Sequence, residues 1–162
     1  LIILYMFSII TIVPLSQTRI SDKFKASWIF DATPSHNNGA LRYGQILSVW
    51  CMFYLPMAII LYPILLFYWG FAYLPDIILS IGATLIITMI YHSSERSLPF
   101  SNDKEAGGFN NIGPMMMVFF LAPVFAAGHY FLGKIPYVVY IGIIVAWGIV
   151  WVMIKELRAG KD

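Results

Sequence analysis

Two residues near the middle of the sequence have the types and the spacing of an acid–base pair. His92 and Glu95 are three residues apart, so a helix would bring both onto one face, where they could exchange protons or bind a metal ion. A metal site needs at least a third protein ligand, and no nearby residue supplies one at a recognisable spacing. Arg96, next to Glu95, offers the carboxylate an ion-pair partner instead. We therefore predict no catalytic residue, no metal and no cofactor, and an enzyme that uses this pair is the weakest functional hypothesis.

A second chemical pattern, the glycine-rich phosphate loop, is present in form only. Residues 128–134 match the spacing G-x-x-x-x-G-K, but Ile135 follows where a phosphate loop has serine or threonine. The segment also closes an apolar stretch instead of following a strand. We therefore predict that the chain binds no ATP by itself.

Two other ionisable residues have ordinary structural interpretations. Asp76 follows Pro75, and a carboxylate in the first turn after a proline is a common helix start. A role in a transport pathway is the alternative for Asp76. His129 is predicted to be a hydrogen-bonding residue close to the end of its helix, not a metal ligand.

The composition shows which elements must position these residues. Of the 162 residues, 60% are hydrophobic and 11% are charged, whereas soluble domains are about 45–50% apolar and about 25% charged. The sequence therefore predicts an all-α integral membrane protein with a single transmembrane domain over residues 1–162. One cysteine excludes a disulfide framework. A net charge of +2 without a long basic run argues against nucleic-acid binding.

Five apolar segments have the composition of membrane-spanning helices, which need about 20 mainly apolar residues. We name them spans one to five, and they cover residues 1–15, 45–69, 75–91, 112–132 and 136–154. Span one is short and begins with Leu1 instead of Met. We therefore expect span one to be truncated and the chain to be the C-terminal portion of a longer protein.

The distribution of basic residues predicts an orientation. Nine of the ten lysine and arginine residues lie between spans one and two, between spans three and four, or after span five, and only Lys134 lies in a short turn on the other side. Loops rich in Lys and Arg stay in the cytoplasm. We therefore expect a cytoplasmic C-terminus, and aromatic residues around both short turns at the opposite interface with the bilayer.

Span two contains two prolines, Pro56 and Pro63. Each proline removes a backbone donor, so the helix should be kinked or locally unwound. One hypothesis is that these residues form a hinge, and the alternative is that the bend only shapes helix packing.

The segment between spans one and two is the most informative part of the sequence. Ile20, Phe24 and Trp28 follow each other at four-residue spacing, which predicts a short cytoplasmic amphipathic helix over residues 18–30 or a cytoplasmic extension of span one. Pro34 ends it, since a proline disfavours helix in the preceding residue. The helix could lie on anionic lipid or dock a cytoplasmic protein.

This segment resembles permease subunits of ATP-binding-cassette exporters. The resemblance rests on residues 22–30, Asp-Lys-Phe-Lys-Ala-Ser-Trp-Ile-Phe, followed by Ala32-Thr33-Pro34 and a helix that restarts near Gly39. It implies a bacterial inner-membrane protein that docks a separate ATPase subunit through the 18–44 segment and dimerises with a second permease. The docking residues that it implies are Phe24, Lys25, Trp28, Thr33 and Pro34.

Two functional hypotheses therefore lead. The first is the permease component of an exporter for an amphiphilic cargo, and the second is a non-catalytic accessory or structural subunit of a larger membrane complex. A permease needs polar groups along its pathway, and the candidates within the spans are few: Ser48, Ser80, Thr84 and Thr88.

Overall fold

Helices make up most of the chain. The computed structural model describes residues 2–23, 25, 28, 38–94, 100, 102–103, 112–135 and 137–159. The helices that correspond to the five predicted spans are listed in chain order. They are α1 (Ile2–Met6) and α2 (Ser8–Gln17); α3 (Asn38–Val49), a π-helix (Trp50–Tyr54) and α4 (Leu55–Trp69); α5 (Leu74–Ser94); α6 (Ile112–Leu132); and α7 (Val138–Ala159). A 3₁₀ turn, Phe71–Tyr73, joins α4 to α5, and strands β1 (Ile20–Ser21) and β2 (Asn102–Asp103) pair in parallel.

The predicted all-α architecture is confirmed. Three helices, Gly39–Trp69, Phe71–Ser94 and Val138–Ala159, are long and apolar enough to cross a membrane. Two shorter apolar helices, Ile2–Gln17 and Phe119–Leu132, accompany them. Helix α6 has the bounds predicted for span four. A membrane protein is therefore supported, and the count of five spans stays a prediction.

Helix α5 lies at the centre of the bundle. In the most apolar stretch of α5, half is buried inside the bundle, whereas the buried share of the corresponding stretch is 17% in span two and 11% in span five. It packs against α1, α2, α6 and α7. Gly82 makes the approach of α7 close, because a Cβ at this position would lie 3.3 Å from the Cβ of Ala146. Side chains of α1 and α2, among them Leu4, Ile12 and Leu15, form one apolar core with Ile77 and Ile87 of α5.

Span two changes its helical geometry just before its first proline. The π-helix ends at Tyr54, and the N–H of Leu55 donates to the carbonyl of Trp50, five residues earlier. A proline cannot donate to the carbonyl four residues before it and clashes with that carbonyl, so a widened turn ahead of Pro56 relieves the conflict. Pro63 lies inside α4, which continues to Trp69. The hinge at Pro56 and Pro63 stays a prediction.

The helix predicted over residues 18–30 is wrong in its first part. Residues 18–19 form a turn, and Ile20–Ser21 is a strand that pairs with Asn102–Asp103. The backbone N–H of Phe100 also donates to the carbonyl of Thr18 over 3.0 Å. Hydrogen bonds to a second loop, far away in the sequence, thus replace the helical ones. Lys25 and Trp28 do lie in helical turns, whereas Phe24, Thr33 and Pro34 lie outside the described residues.

Most of the described lysine and arginine residues lie at one end of the bundle, and only Lys134 lies at the other. At one end, named the basic end, Gln45 donates to Thr18 and the guanidinium of Arg158 lies 4.3 Å from the ring centre of Tyr43. At the other, named the turn end, Lys134 lies 4.7 Å from the ring centre of Tyr130. The basic loops predicted to share one face therefore meet at one end.

Candidate functional site

A row of polar side chains runs through the interior of the bundle from the turn end to the basic end. We name this row the polar column. Its members come from three parts of the chain: the first span with the turn that follows it, helix α5, and helix α6. They are Tyr5, Ser8, Thr11 and Arg19; Asp76, Ser80, Thr84, Thr88 and His92; and His129.

Helix α5 supplies the longest part of the polar column. Its five members, residues 76, 80, 84, 88 and 92, recur at every fourth position, and residues four apart lie on the same face of a helix. Ser80, Thr84 and Thr88 are completely buried, and His92 is nearly so. The side chain of Asp76, at the turn end, stays partly accessible. The polar face that these five residues form winds around α5, because each step of four residues turns it by about 40°, and it stays inside the bundle from Ser80 to His92.

The turn end of the column is a hydrogen-bonded triad from three spans, which we name the Tyr5–His129–Asp76 triad. The Tyr5 hydroxyl lies 2.7 Å from His129 Nδ1, and His129 Nε2 lies 2.8 Å from Asp76 Oδ1. A carboxylate only accepts, so the proton on Nε2 donates to Asp76 and Nδ1 accepts from Tyr5 when the imidazole is neutral. We assign this tautomer from the partners. Tyr5 and His129 are both buried.

In the middle of the column, two threonine hydroxyls take part in three contacts but have only two protons to donate. Thr11 Oγ1 donates to the carbonyl of Ser8 over 2.8 Å, and Thr88 Oγ1 donates to the carbonyl of Thr84 over 2.8 Å. The two hydroxyl oxygens also lie 2.8 Å from each other. Each hydroxyl has one proton, so a bond across the helix interface forms only when one threonine releases its own carbonyl. Among the described residues, Thr84 Oγ1 has no hydrogen-bond partner.

The basic end of the column is a buried cation beside an imidazole. A guanidinium nitrogen of Arg19 lies 3.0 Å from His92 Nδ1, and the guanidinium carbon lies 5.3 Å from the ring centre of Tyr91. Arg19 is completely buried. Since the guanidinium only donates, His92 Nδ1 accepts and its proton is on Nε2. Arg19, just before β1, is thereby connected to the end of α5.

An apolar cavity of about 300 Å³ lies beside the turn end of the polar column, between α5, α6 and α7. Its polar lining residues are Tyr5 and His129. Val124 of α6 and Val145 of α7 line it and are 65% and 54% exposed. The cavity therefore opens on the outer surface of the bundle. Small lining residues leave this space open. At Gly128, for example, an added Cβ would meet no atom within 4 Å.

The residues singled out in the sequence fall in several places. Lys25 is exposed and Trp28 is 63% exposed. Pro56 and Pro63 are exposed on span two and line neither the polar column nor the cavity. Ser48 is exposed and donates to the carbonyl of Gln45. The remaining three hydroxyl candidates do lie together in the column.

Sequence reasoning missed three features of the site. It treated Asp76 and His129 separately, although they are hydrogen-bonded, and it gave Tyr5 no role. It included Arg19 in the predicted amphipathic helix over residues 18–30, and the structure instead buries this residue in the turn before β1. The four-residue spacing from Asp76 to His92 was a visible signal for the polar face of α5. The pairing of Arg19 with His92 depends on the position of β1, and no local pattern predicts it.

Comparisons of this protein with protein families, with curated proteins and with solved structures found no match. Its function therefore has to be inferred from the polar column, the cavity and the exposed residues at the basic end.

Proposed function

We propose that the chain is the membrane-spanning permease component of an ATP-driven exporter, with a separate ATPase subunit docked on the 18–44 segment. The observation that carries the proposal is the polar column. Ionisable residues between membrane-spanning helices are costly, and in membrane proteins they mark substrate or ion pathways. The column has such residues at both of its ends and hydroxyls between them.

The alternative, an accessory or structural subunit, explains the column less well. Small residues and hydroxyls are common at structural helix contacts in membranes, so Ser80, Thr84 and Thr88 alone would fit either function. A carboxylate, two histidines and a buried arginine are not needed for packing. Their presence in one row favours a pathway.

Docking of the ATPase is proposed at the basic end, which faces the cytoplasm of a bacterial cell in this proposal. Trp28 is a large aromatic residue and is 63% exposed, and Lys25, three residues earlier in the sequence, is exposed as well. Aromatic anchors inside a polar rim are the usual composition of protein–protein contacts. Dimerisation with a second permease belongs to the same proposal.

Arg19 gives this docking site a connection to the pathway. Closure of the ATPase subunits on nucleotide would push on the segment that carries Lys25 and Trp28. That segment follows β1, and Arg19 just before β1 contacts His92 at the end of α5. A movement of the segment would therefore reach the polar face of α5, and span two would tilt near Pro56.

Photo-crosslinking at position 28 tests the proposal. The full chain, with p-benzoylphenylalanine in place of Trp28, would be irradiated in cells of its own organism and purified. We expect an adduct with a nucleotide-binding protein, and vanadate-sensitive ATP hydrolysis by the complex isolated without crosslinking. The matched control has the same replacement at Trp151 of α7, which is 71% exposed, and should give no such adduct.

Substitution of the same residues makes the test quantitative. Truncating an aromatic anchor commonly costs about 2 kcal/mol, so Trp28→Ala should weaken binding of the ATPase by roughly 30-fold. Lys25→Ala should weaken it less, because charges at the rim mainly affect the rate of association. Adducts only with proteins that hydrolyse no ATP, or equal binding by Trp28→Ala, would favour the accessory subunit.

A further inference from the structure

The apolar cavity has the dimensions of one hydrocarbon chain. Its lining on α7 runs from Val138 to Ile149, and at a rise of 1.5 Å per residue this stretch is about 16 Å long. The cavity is elongated along α7 and small in volume, which suits one extended alkyl chain. The volume also lies at the lower end of the range for ligand sites, about 300 Å³.

The polar groups of this cavity lie at its turn end. Tyr5 and His129 line it, together with Leu132 and Gly133 from the end of α6 and the following turn. Asp76 Oδ1 lies 2.8 Å from His129, and its side chain is 20% exposed. A ligand with its chain in the cavity would therefore place its headgroup beside the Tyr5–His129–Asp76 triad, at the level of the membrane surface.

The charge at this end favours a cationic headgroup. Asp76 supplies the carboxylate of the triad, and its partly accessible side chain can accept hydrogen bonds from a headgroup. The cation nearest in sequence, Lys134, does not line the cavity, and its ammonium lies over the rings of Tyr130 and Phe131, which are more than half exposed. A primary amine is small and donates hydrogen bonds, so it complements the carboxylate and the Tyr5 oxygen.

We propose that this cavity binds a single-chain amphiphile with a cationic amine headgroup, and that the ligand enters sideways from the bilayer. The inference rests on the proposed function in one respect, since it names the class of cargo that the permease would accept. The binding itself requires no ATPase.

Ligand binding by the purified full chain tests this site. Dodecylamine, dodecanol and dodecanoic acid share one chain and differ in headgroup charge, and native mass spectrometry in detergent measures the binding of each. We expect the amine to bind at least ten-fold more tightly than the acid, with the alcohol in between. Asp76→Asn should remove this preference.

A filled cavity provides the second arm of the test. Gly128→Leu should lower dodecylamine affinity at least ten-fold, because the new side chain enters the cavity without meeting another atom near its Cβ. The matched control is Gly148→Leu in α7. A Cβ at Gly148 also meets no atom within 4 Å, but Gly148 does not line the cavity. This variant should bind like the parent.

Photolabelling of the unsubstituted chain adds a result that does not depend on folding of a variant. A dodecylamine with a diazirine on its chain should label residues 124–133 and 138–149. Three results would each overturn the site: equal binding of the three ligands, equal effects of the two glycine variants, or labelling elsewhere. The cavity would then hold bilayer lipid without selecting a headgroup. Amine binding without an ATPase adduct at position 28 would retain the site and overturn the proposed exporter instead.

Discussion

At the residue scale, His129 joins three spans because both of its ring nitrogens are in use. Nδ1 meets Tyr5 of the first span and Nε2 meets Asp76 of the third, while His129 itself belongs to α6. A buried N–H that loses its acceptor costs about 1–3 kcal/mol. The identity of the acceptor at position 76 therefore affects stability.

Two substitutions of Asp76 separate its hydrogen bond from its charge. Asp76→Asn keeps an oxygen that accepts from His129 Nε2, so we expect a small change in the thermal midpoint of unfolding in detergent. Asp76→Leu removes the acceptor and should lower the stability by about 1–3 kcal/mol. Equal midpoints for the two variants would show that His129 does not depend on this acceptor.

Substitution of the threonine pair in the middle of the column distinguishes a role in transport from a role in packing. Replacing both Thr11 and Thr88 by Val keeps the shape of the contact and removes both hydroxyls, a change that is close to neutral for stability. If the column conducts cargo, ATP hydrolysis stimulated by cargo should fall in the double variant while the thermal midpoint is retained. Ser48→Ala, outside the column, is the control. Full activity of the double variant would assign these hydroxyls to packing.

At the element scale, the apolar runs were sufficient to place the helices and insufficient to place their polar faces. The bounds of α6 follow from its apolar run alone, and α5 extends the predicted 75–91 to Leu74–Ser94. The polar face of α5 could have been predicted from its four-residue spacing. Its partners could not, because Tyr5 and His129 are 124 residues apart in the sequence. The strand at Ile20–Ser21 also depends on a distant loop.

Close packing of α5 against α7 gives a prediction for this pair of helices. A Cβ at Gly82 would lie 3.3 Å from Ala146 and 3.4 Å from the indole nitrogen of Trp147. Gly82→Val should therefore force the helices apart and lower the stability by about 1–3 kcal/mol. Gly148→Val, where a Cβ meets no atom within 4 Å, should change the midpoint little. Similar losses in both variants would mean that the contact between α5 and α7 does not set the cost.

At the scale of the whole molecule, the bundle has two chemically different ends joined by one buried polar row. Arg19, Arg42 and Arg158 belong to the basic end, where the first two are buried. The turn end contains the triad, and the cavity lies beside it. In an exporter with a cytoplasmic basic end, Arg19 would oppose the entry of a cationic amphiphile until the basic end rearranged, and the carboxylate side would hold the cargo before its release. The arrangement therefore favours movement that is coupled to the docked partner.

The orientation of this molecule decides which end meets an ATPase. The excess of lysine and arginine predicts that the basic end is cytoplasmic, and cysteine labelling in intact cells measures it. In a Cys51→Ser background, a membrane-impermeant maleimide should label Lys134→Cys and should not label Lys25→Cys or Lys104→Cys until the cells are opened. Lys134 lies in the exposed turn after α6, so its labelling depends on the side of the membrane. Labelling of position 104 from outside would place the basic end outside the cell, and no cytoplasmic ATPase could then reach Trp28.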